Sequence, residues 1–156
     1  MTLNSEFVDR IKGCKKLCPH FHLSLQSACN DTLKRMNRKG DGKTVRETVK
    51  KLRSVPGMVI RSTAIVGFPG ETEEEFEETI SLIEQVHYDS LFTFIFSPRV
   101  GTPAASMEDP TPKEEKNRRF DKLCAVQNSI SEEIHNNYVG KVMRCLVDGK
   151  DKDLFT

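Results

Sequence analysis

The sequence lacks most of the features that would mark a secreted, membrane-bound or strongly charged protein. It contains no tryptophan and only 2 tyrosines, and no apolar run approaches the roughly 20 residues of a membrane-spanning helix. Residues 1–5 include neither a basic leader nor an apolar segment, so nothing indicates secretion. We therefore expect a cytoplasmic protein without a membrane partner.

The cysteine count and the net charge further limit the classes of protein to which this chain could belong. Five cysteines, an odd number, argue against a disulfide framework in a cytoplasmic chain. The net charge of +1 on 156 residues creates no overall field that would indicate a nucleic-acid partner. Basic residues nevertheless cluster at 12–16, 34–43 and 116–122, and acidic residues at 71–78. Solvated helix faces are the simplest interpretation of all these clusters.

One strand, loop and helix form the clearest unit of the chain. Residues 60–66 are apolar enough for a buried strand, and the Gly-Phe-Pro-Gly sequence that follows is typical of a tight turn. Thr72 and Glu75 have the spacing of a reciprocal capping box, and Phe76 and Ile80 continue at helical spacing. The pattern predicts a strand whose carboxyl end opens into a site, followed by a helix that covers the strand.

Two further strands are predicted, one on each side of this unit in the chain. Residues 21–25 form a short strand that ends at Gln26 and Ser27, and residues 90–96 are almost continuously apolar, as in a strand covered on both faces. Strands that alternate with helices predict an α/β fold with parallel pairing and outer helices. Three strands do not close a barrel, so we expect a partial, half parallel β/α barrel. Its unpaired edges would invite self-association.

Local signals place the remaining helices. Amphipathic spacing predicts helices over residues 5–16 and 44–53. Asn30 or Asp31 is suited to cap a helix between them, and Thr111 is the predicted N-cap of a long helix near the end of the chain.

The pattern changes after residue 137. Residues 141–147 are typical of a strand, and Asp148-Gly149 is a strong signal for a two-residue hairpin. A short C-terminal β-strand or hairpin is therefore expected.

Five short segments carry a family resemblance in their order and spacing. They are His-Phe-His-Leu-Ser-Leu-Gln-Ser at 20–27, Leu-Lys-Arg-Met-Asn-Arg at 33–38, Ile-Val-Gly-Phe-Pro-Gly-Glu-Thr at 65–72, Phe-Ile-Phe-Ser-Pro-Arg at 94–99 and Gly-Thr-Pro-Ala at 101–104. Together they resemble the radical S-adenosylmethionine (SAM) methylthiotransferases, the group that includes MiaB, MtaB and RimO. Residues 18–26 are closer to the MtaB branch and residues 92–99 to the MiaB branch, so tRNA is a better expectation than a ribosomal protein.

The resemblance implies a division of the chain and a chemistry. Residues 1–137 correspond to the C-terminal half of the radical SAM domain, and residues 138–156 to the truncated start of a TRAM domain, a small RNA-binding β-barrel. The full-length family members use SAM and a [4Fe–4S] cluster to add a methylthio group to a modified adenosine beside the tRNA anticodon. The implied partner is therefore the anticodon stem-loop of tRNA.

The resemblance also implies site residues at the three strand ends. The expected cofactor-binding residues are Gln26, Ser27, Ile65, Gly67, Phe96, Ser97 and Arg99. Arg38 is the expected substrate-binding residue, since a guanidinium recognises carboxylate and phosphate bidentately. These residues would position the cofactor and the substrate, and none is expected to be catalytic itself.

The sequence departs from the family where the cluster would be held. The family uses a Cys-x3-Cys-x2-Cys loop after the first barrel strand, and Cys14, Cys18 and Cys29 do not have that spacing. We therefore expect no metal ligands in this chain and no activity from the chain alone. Ala28 and Ala64 stand where the family usually has a glycine and an acidic residue.

Three alternatives remain open. Cys14, Cys18, His20 and His22 are plausible zinc ligands by type, although both histidines also suit a partly buried strand. A glycine-rich loop before a helix start suits phosphate, but this loop lacks the lysine of a P-loop and precedes an acidic run. Finally, the chain could be a non-catalytic fragment that binds RNA or a partner chain through its basic clusters.

Overall fold

The computed structural model describes residues 5–144, 146–151 and 154–155. Helices and strands alternate through most of this length. In chain order they are α1 (Ser5–Gly13), β1 (His20–Gln26), α2 (Asn30–Arg35), α3 (Gly42–Arg53), β2 (Val59–Val66), α4 (Glu73–Val86), β3 (Ser90–Ile95), a 3-10 turn (Pro103–Ser106), α5 (Lys113–Asn136), β4 (Lys150–Asp151) and β5 (Leu154–Phe155). Among the described residues, no helix is both long enough and apolar enough to cross a membrane.

The three longer strands form one parallel sheet in the order β1–β2–β3. His22 of β1 lies opposite Arg61 of β2, and Thr63 of β2 lies opposite Phe92 of β3. Each connection between neighbouring strands passes through helices, as parallel pairing requires. The predicted α/β fold with three parallel strands is confirmed.

One face of the sheet carries the hydrophobic core. Phe76 and Ile83 of α4 and Leu123 of α5 are completely buried in the same cluster as the inward residues of β2. Those inward residues alternate along the strand and are at most 1% exposed: Ile60, Ser62, Ala64 and Val66. The alternation of a strand therefore presents every second β2 side chain to the helices.

The opposite face of the sheet is left accessible by the described helices. We call it the open face; its side chains are all exposed or half-buried, and they are His20, His22, Ser24, Val59, Arg61, Thr63, Ile65, Ser90, Phe92 and Phe94. Phe92 is 42% exposed and Phe94 is 53% exposed. The prediction that residues 90–96 are covered on both faces is wrong for the described part of the chain, because its helices pack on one side only.

The helix starts show which capping signals decide a boundary. The Thr72–Glu75 capping box is confirmed, with both reciprocal hydrogen bonds present. Asp41 accepts a 2.6 Å hydrogen bond from the Thr44 amide and starts α3 two residues earlier than predicted. Two predictions are wrong: Cys29, rather than Asn30 or Asp31, is the N-cap of α2, and α5 begins after Pro112 rather than at a Thr111 cap. Neither of these two helices has a side-chain cap.

The C-terminal segment is less regular than predicted. Residues 141–144 and 146–147 form no strand, and residue 145 lies outside the described residues. Val142 and Leu146 are 102% and 89% exposed, so these two apolar side chains are not buried by a neighbouring strand. An antiparallel pair forms later, between Lys150–Asp151 and Leu154–Phe155, beyond the predicted Asp148-Gly149 turn. A short C-terminal hairpin is therefore present, but the predicted strand over 141–147 and the predicted turn at Asp148-Gly149 are wrong. The domain boundary at 137/138 stays a prediction.

Two phenylalanines provide a matched test of the one-sided core. Phe76→Ala removes a completely buried ring, and we expect it to lower the free energy of unfolding by about 3–5 kcal/mol. Phe94→Ala removes a ring that is already half exposed, and we expect a loss below about 1 kcal/mol. Urea unfolding followed by far-ultraviolet circular dichroism measures both. Equal losses would contradict the assignment of core face and open face.

Candidate functional site at the carboxyl ends of the strands

The sheet brings the three predicted strand ends to one edge. Gln26 pairs with Ala64, Val66 pairs with Ile95, and the Phe96 amide donates a 2.9 Å hydrogen bond to the Val66 carbonyl. Parallel strands end on the same side of a sheet, and in α/β folds that side commonly carries the functional site. The predicted residues assembled here are Gln26, Ser27, Ile65, Gly67, Phe96 and Ser97.

The end of β1 is an irregular turn. Gln26 adopts a left-handed backbone with φ of 72°, next to a break in the β1–β2 register. Ser27 is completely buried; its hydroxyl lies 3.3 Å from the Thr79 hydroxyl and accepts a 3.2 Å hydrogen bond from the Cys29 amide. The Ser27 side chain is therefore engaged within the protein and shapes the turn, which leaves the half-buried Gln26 as the side chain available at this end.

The end of β2 is held by a buried ion pair. The Gly67 amide donates a 2.7 Å hydrogen bond to Glu71 Oε2. Arg119 of α5 lies 3.3 Å from the same oxygen and donates a 2.9 Å hydrogen bond to the Glu71 carbonyl. Glu71 and Arg119 are only 4% and 5% exposed. The interpretation of both residues as members of solvated helix faces is wrong, because the fold encloses them.

The pKa of Glu71 reflects two opposing effects. Burial raises the pKa of this carboxyl, while the Gly67 amide and Arg119 lower it by favouring the ionised form. No local pattern in the sequence indicates this pair, since the two residues are 48 positions apart. Only the packing of α5 against the β2 loop brings them together.

Lys116 packs on the same loop. Gly67 has φ of +68°, and a Cβ at this position would lie 2.6 Å from Lys116 Cγ. The Lys116 ammonium forms an ion pair with Asp109, in the segment between β3 and α5. One lysine therefore connects the loop after β2 to the segment that follows β3.

A second set of charges surrounds the start of α5. Arg118 contacts Glu73 and Glu115, and Arg119 Nε donates a 2.8 Å hydrogen bond to Glu115. Hydrogen bonds from Arg118 and Arg119 lower the pKa of the Glu115 carboxyl to about 2. The two arginines therefore favour the ionised form of this carboxylate.

The two predicted arginines lie at the margin of the assembly. Arg38 is exposed, and its guanidinium donates a 3.2 Å hydrogen bond to the Ser24 carbonyl at the edge of β1. It lines a cavity of about 270 Å³ together with His22 and Thr44. Arg99 is exposed, and its carbonyl accepts a 3.1 Å hydrogen bond from the Thr102 amide. The structure thus places Arg38 beside β1 and Arg99 beyond the end of β3.

Comparison with known families identifies this architecture. The model of the radical SAM superfamily matches residues 1–83, more than half of the chain and two of its three long strands. The chain belongs to the radical SAM superfamily.

Curated radical SAM relatives extend the similarity over nearly the whole chain. It is 43% identical over 152 residues to the tRNA-2-methylthio-N(6)-dimethylallyladenosine synthase of Clostridium botulinum, covering 97% of this chain and 34% of that protein. It is 42% identical over 151 residues to the enzyme of the same name from Acetivibrio thermocellus, covering 96% and 32%. The chain therefore spans about one third of the length of these relatives.

A solved radical SAM structure supports the fold alone. Coproporphyrinogen III oxidase (HemN) from Escherichia coli superimposes with a TM-score of 0.69 over 82% of this chain and 30% of that chain, at 16% identity. The three parallel strands are therefore consistent with a partial radical SAM barrel.

The superfamily implies SAM and an iron–sulfur cluster. The described residues at the strand ends are suited to SAM, whereas the described residues offer no set of ligands for the cluster. Half-buried Ile65 and Phe96, the latter packed edge-to-face on Phe68 at 4.9 Å, offer apolar contact at the strand ends. The amides of Gly67 and Phe96 are both used internally, so a ligand would meet side chains and carbonyl oxygens there.

Among the described cysteines, Cys14, Cys18 and Cys29 are not grouped as ligands of an iron–sulfur cluster. Cys14 and Cys18 are exposed, whereas Cys29 is buried at the start of α2. Among the described residues no group of three or more histidine, cysteine, aspartate or glutamate side chains is arranged to hold a metal ion. The proposed zinc ligands are thus not brought together either, and His22 Nε2 instead lies 3.1 Å from the Thr63 hydroxyl.

Removing Arg119 tests the buried ion pair. We expect Arg119→Met to lower the free energy of unfolding by about 3–5 kcal/mol, because an ionised Glu71 is left buried without a cation. The pKa of Glu71 is already raised by burial and would rise further, so the folded state of the variant would hold this proton more tightly. Stability would then be lost as the pH rises through that folded pKa, which makes the difference from the parent chain larger at about pH 8 than at about pH 4.

Urea unfolding at both pH values measures this difference. Adding Glu71→Gln to Arg119→Met should recover part of the loss at the higher pH, because a neutral amide is less costly to bury than a carboxylate. A loss that is independent of pH and unchanged by the second substitution would mean that Arg119 contributes packing only.

Gly67→Ala tests the close contact with Lys116. Gly67 and Gly140 share a left-handed backbone, with φ of +68° and +76°, but nothing lies within 4 Å of a Cβ at Gly140. We expect Gly140→Ala to cost about 1–2 kcal/mol from backbone strain alone, and Gly67→Ala to cost more because the lysine stem must move. Urea unfolding measures both, and Lys116→Ala should restore part of the Gly67→Ala loss. Equal losses at the two glycines would show that the contact with Lys116 is unimportant.

Proposed function

We propose that this chain is part of a tRNA methylthiotransferase, contributing residues 1–137 to the radical SAM domain and residues 138–156 to the start of a TRAM domain. The observation that carries the proposal is 43% identity over 97% of the chain to an enzyme named as a tRNA-2-methylthio-N(6)-dimethylallyladenosine synthase. The proposed reaction is the addition of a methylthio group to a modified adenosine beside the anticodon. The proposed partner is the tRNA anticodon stem-loop.

In this proposal the described residues bind and orient. SAM, when bound, supplies the radical and methyl chemistry. Gln26, Ile65 and Phe96 would contact its adenosyl part at the strand ends, together with Gly67 and Ser97. Ser27 would act indirectly, because its hydroxyl is already bonded to the turn that carries Gln26.

The two marginal arginines would meet negative charge. Arg99 follows the end of β3 and is exposed, so it is placed to meet a carboxylate or phosphate near the strand ends. Arg38, beside the cavity at the β1 edge, would meet a phosphate of the RNA.

The proposal also assigns no cluster to this chain. Cys14, Cys18 and Cys29 are not grouped as ligands, so we propose that the cluster is held by another part of the enzyme. The chain alone would then neither reduce nor cleave SAM.

A chimeric enzyme tests the proposed function. The matching third of the Clostridium botulinum relative is replaced by this chain, and the chimera is produced in bacteria that lack their own methylthiotransferase. We expect 2-methylthio-adenosine derivatives in the tRNA nucleosides, measured by liquid chromatography and mass spectrometry, and none when the chain is produced alone.

Two arginine variants of the chimera compare a predicted site residue, Arg99, with a control residue, Arg10. Arg99→Ala in the chimera should lower the modified fraction at least about tenfold, as for a lost charge-assisted contact of about 1.5–3 kcal/mol. Arg10→Ala, which removes an exposed side chain of α1, should leave the modified fraction unchanged. A chimera that accumulates in folded form but yields no methylthio product would contradict the proposed function.

A further inference from the structure

The end of β1 is not held in place by the sheet alone. Leu23 lies opposite Ser62 of β2. The next pair joins Gln26 to Ala64, so β1 advances from 23 to 26 while β2 advances only from 62 to 64. The extra residue is a β-bulge, which interrupts the ladder of backbone hydrogen bonds between the two strands. Gln26, which would contact SAM in the proposed function, therefore lies just beyond a break in its own sheet.

Gln26 also has a backbone conformation that its neighbours must maintain. Its φ of 72° is in the left-handed region, which residues other than glycine adopt rarely and at a cost. Such a conformation persists only where the surrounding contacts determine it. The residues on either side of Gln26 supply those contacts.

Before Gln26, one hydroxyl takes the place of ladder hydrogen bonds. Ser62 of β2 is completely buried. Its hydroxyl donates a 2.6 Å hydrogen bond to the Leu23 carbonyl and accepts a 3.4 Å hydrogen bond from the Leu25 amide. The bulge is thus closed by a side chain of the neighbouring strand.

After Gln26, helix α4 holds the turn that leads to α2. Thr79 of α4 is 1% exposed, and its hydroxyl accepts a 3.0 Å hydrogen bond from the Ala28 amide. The same hydroxyl lies 3.3 Å from the Ser27 hydroxyl and donates a 3.4 Å hydrogen bond to the Glu75 carbonyl. One side-chain oxygen therefore contacts both residues that directly follow Gln26.

The first turn of α4 adds a second contact with the same region. The Glu75 carboxylate accepts a 3.0 Å hydrogen bond from Arg35 Nη1 and a 3.2 Å hydrogen bond from the Thr32 hydroxyl, both on α2. It also accepts a 3.0 Å hydrogen bond from the Thr72 amide, within the capping box. The start of α4 is thereby fixed to α2, which limits the movement of the turn between β1 and α2.

Helix α4 is in turn continuous with the loop after β2. That loop leads directly into the Thr72 cap of α4 and is closed by the hydrogen bond between the Gly67 amide and Glu71. A shift of α4 would therefore move both the loop and the Thr79 contact. The two strand ends assigned to SAM in the proposed function are held relative to each other through this helix.

We propose that Thr79 is a positioning residue for SAM binding, which acts by fixing the turn that presents Gln26 at the end of β1. The inference rests on the proposed function, which assigns Gln26 to the adenosyl part of SAM. It goes beyond that assignment by naming a residue that is enclosed by the protein and acts on the ligand only through Gln26.

Two substitutions of Thr79 separate its hydroxyl from its packing. Thr79→Val keeps the volume and removes the hydroxyl, which leaves the buried Ala28 amide without its acceptor. Thr79→Ser keeps the hydroxyl and removes a methyl group. A role in packing alone predicts the larger effect for the serine variant, whereas a positioning hydroxyl predicts the larger effect for the valine variant. Thr48→Val is the matched control, at a threonine of α3 that is 6% exposed.

The SAM affinity of the chimera tests the inference. The dissociation constant for SAM is measured by isothermal titration calorimetry with the anaerobically purified chimera. We expect Thr79→Val to weaken SAM binding about fivefold or more, as for the loss of one ordinary hydrogen bond. Thr79→Ser and Thr48→Val should bind SAM nearly as the parent chimera does. Equal affinity of the valine variant and the parent would overturn the inference.

Combining Thr79→Val with Gln26→Ala distinguishes positioning from general destabilisation. If Thr79 acts through Gln26, the two substitutions are not independent, and the double variant should bind SAM no more weakly than Gln26→Ala alone. Losses of affinity that multiply would mean that Thr79 affects the site by another route, and they would reject the positioning role.

A measurement on the 156-residue chain itself needs no cofactor. Amide hydrogen exchange, followed by nuclear magnetic resonance of the isotope-labelled chain, reports how firmly the turn is held. We expect Thr79→Val to accelerate exchange at Ala28 and Cys29 about fivefold or more, and Thr79→Ser to leave it close to the parent rate. Unchanged exchange at Ala28 in the valine variant would show that the Thr79 hydroxyl does not hold the turn.

The inference and the proposed function can fail separately. A chimera that yields the methylthio product, but whose Thr79→Val variant binds SAM as the parent does, rejects the inference and keeps the proposed function. A chimera that shows the expected SAM affinities but yields no product rejects methylthio transfer and keeps the role of Thr79. The absence of SAM binding by the folded parent chimera would overturn the inference itself.

Discussion

The buried contact between Glu71 and Arg119 is the constraint on which the candidate site depends. It closes the loop after the central strand through the Gly67 amide and attaches the last helix to that loop. A buried ion pair is seldom a large net source of stability, but the loss of one partner is costly. The pair matters here for geometry, because the Glu71 carboxylate contacts both the loop, through the Gly67 amide, and α5, through Arg119. Lys116, held on the same loop by its stem, reinforces the arrangement.

Because the described helices pack on one face of the sheet only, one set of strand side chains forms the core and the alternate set remains accessible to a ligand. Helices α4 and α5 bury alternate residues of β2, so the same strand can supply a core residue such as Val66 and an accessible one such as Ile65. The strand ends and the open face are then continuous, since Ile65 belongs to both.

Local signals predicted the elements well where a single short-range interaction decides them. The Thr72–Glu75 capping box and the alternation of β2 belong to this class. The predictions failed where the deciding contact was distant or missing. Helix α5 begins at Lys113 rather than after a Thr111 cap. Residues 141–147 have strand-like composition, but residues 141–144 and 146–147 form no strand and Val142 and Leu146 are exposed. The Ser27 hydroxyl is bonded within the turn, and the role of this residue at the cofactor stays a prediction.

The sequence by itself determined the parallel α/β order, the three strand ends and the family, because periodicity, turn residues and ordered motifs are properties of neighbouring residues. The tertiary structure alone decided which face of the sheet stays accessible and which charges are enclosed. Arg119 and Glu71 read as ordinary surface charges until α5 packs against the β2 loop, 48 residues away. Arg61 and Phe92 become one surface only when parallel strands place them side by side. Pairings of this kind depend on the path of the chain in space, which no local pattern encodes.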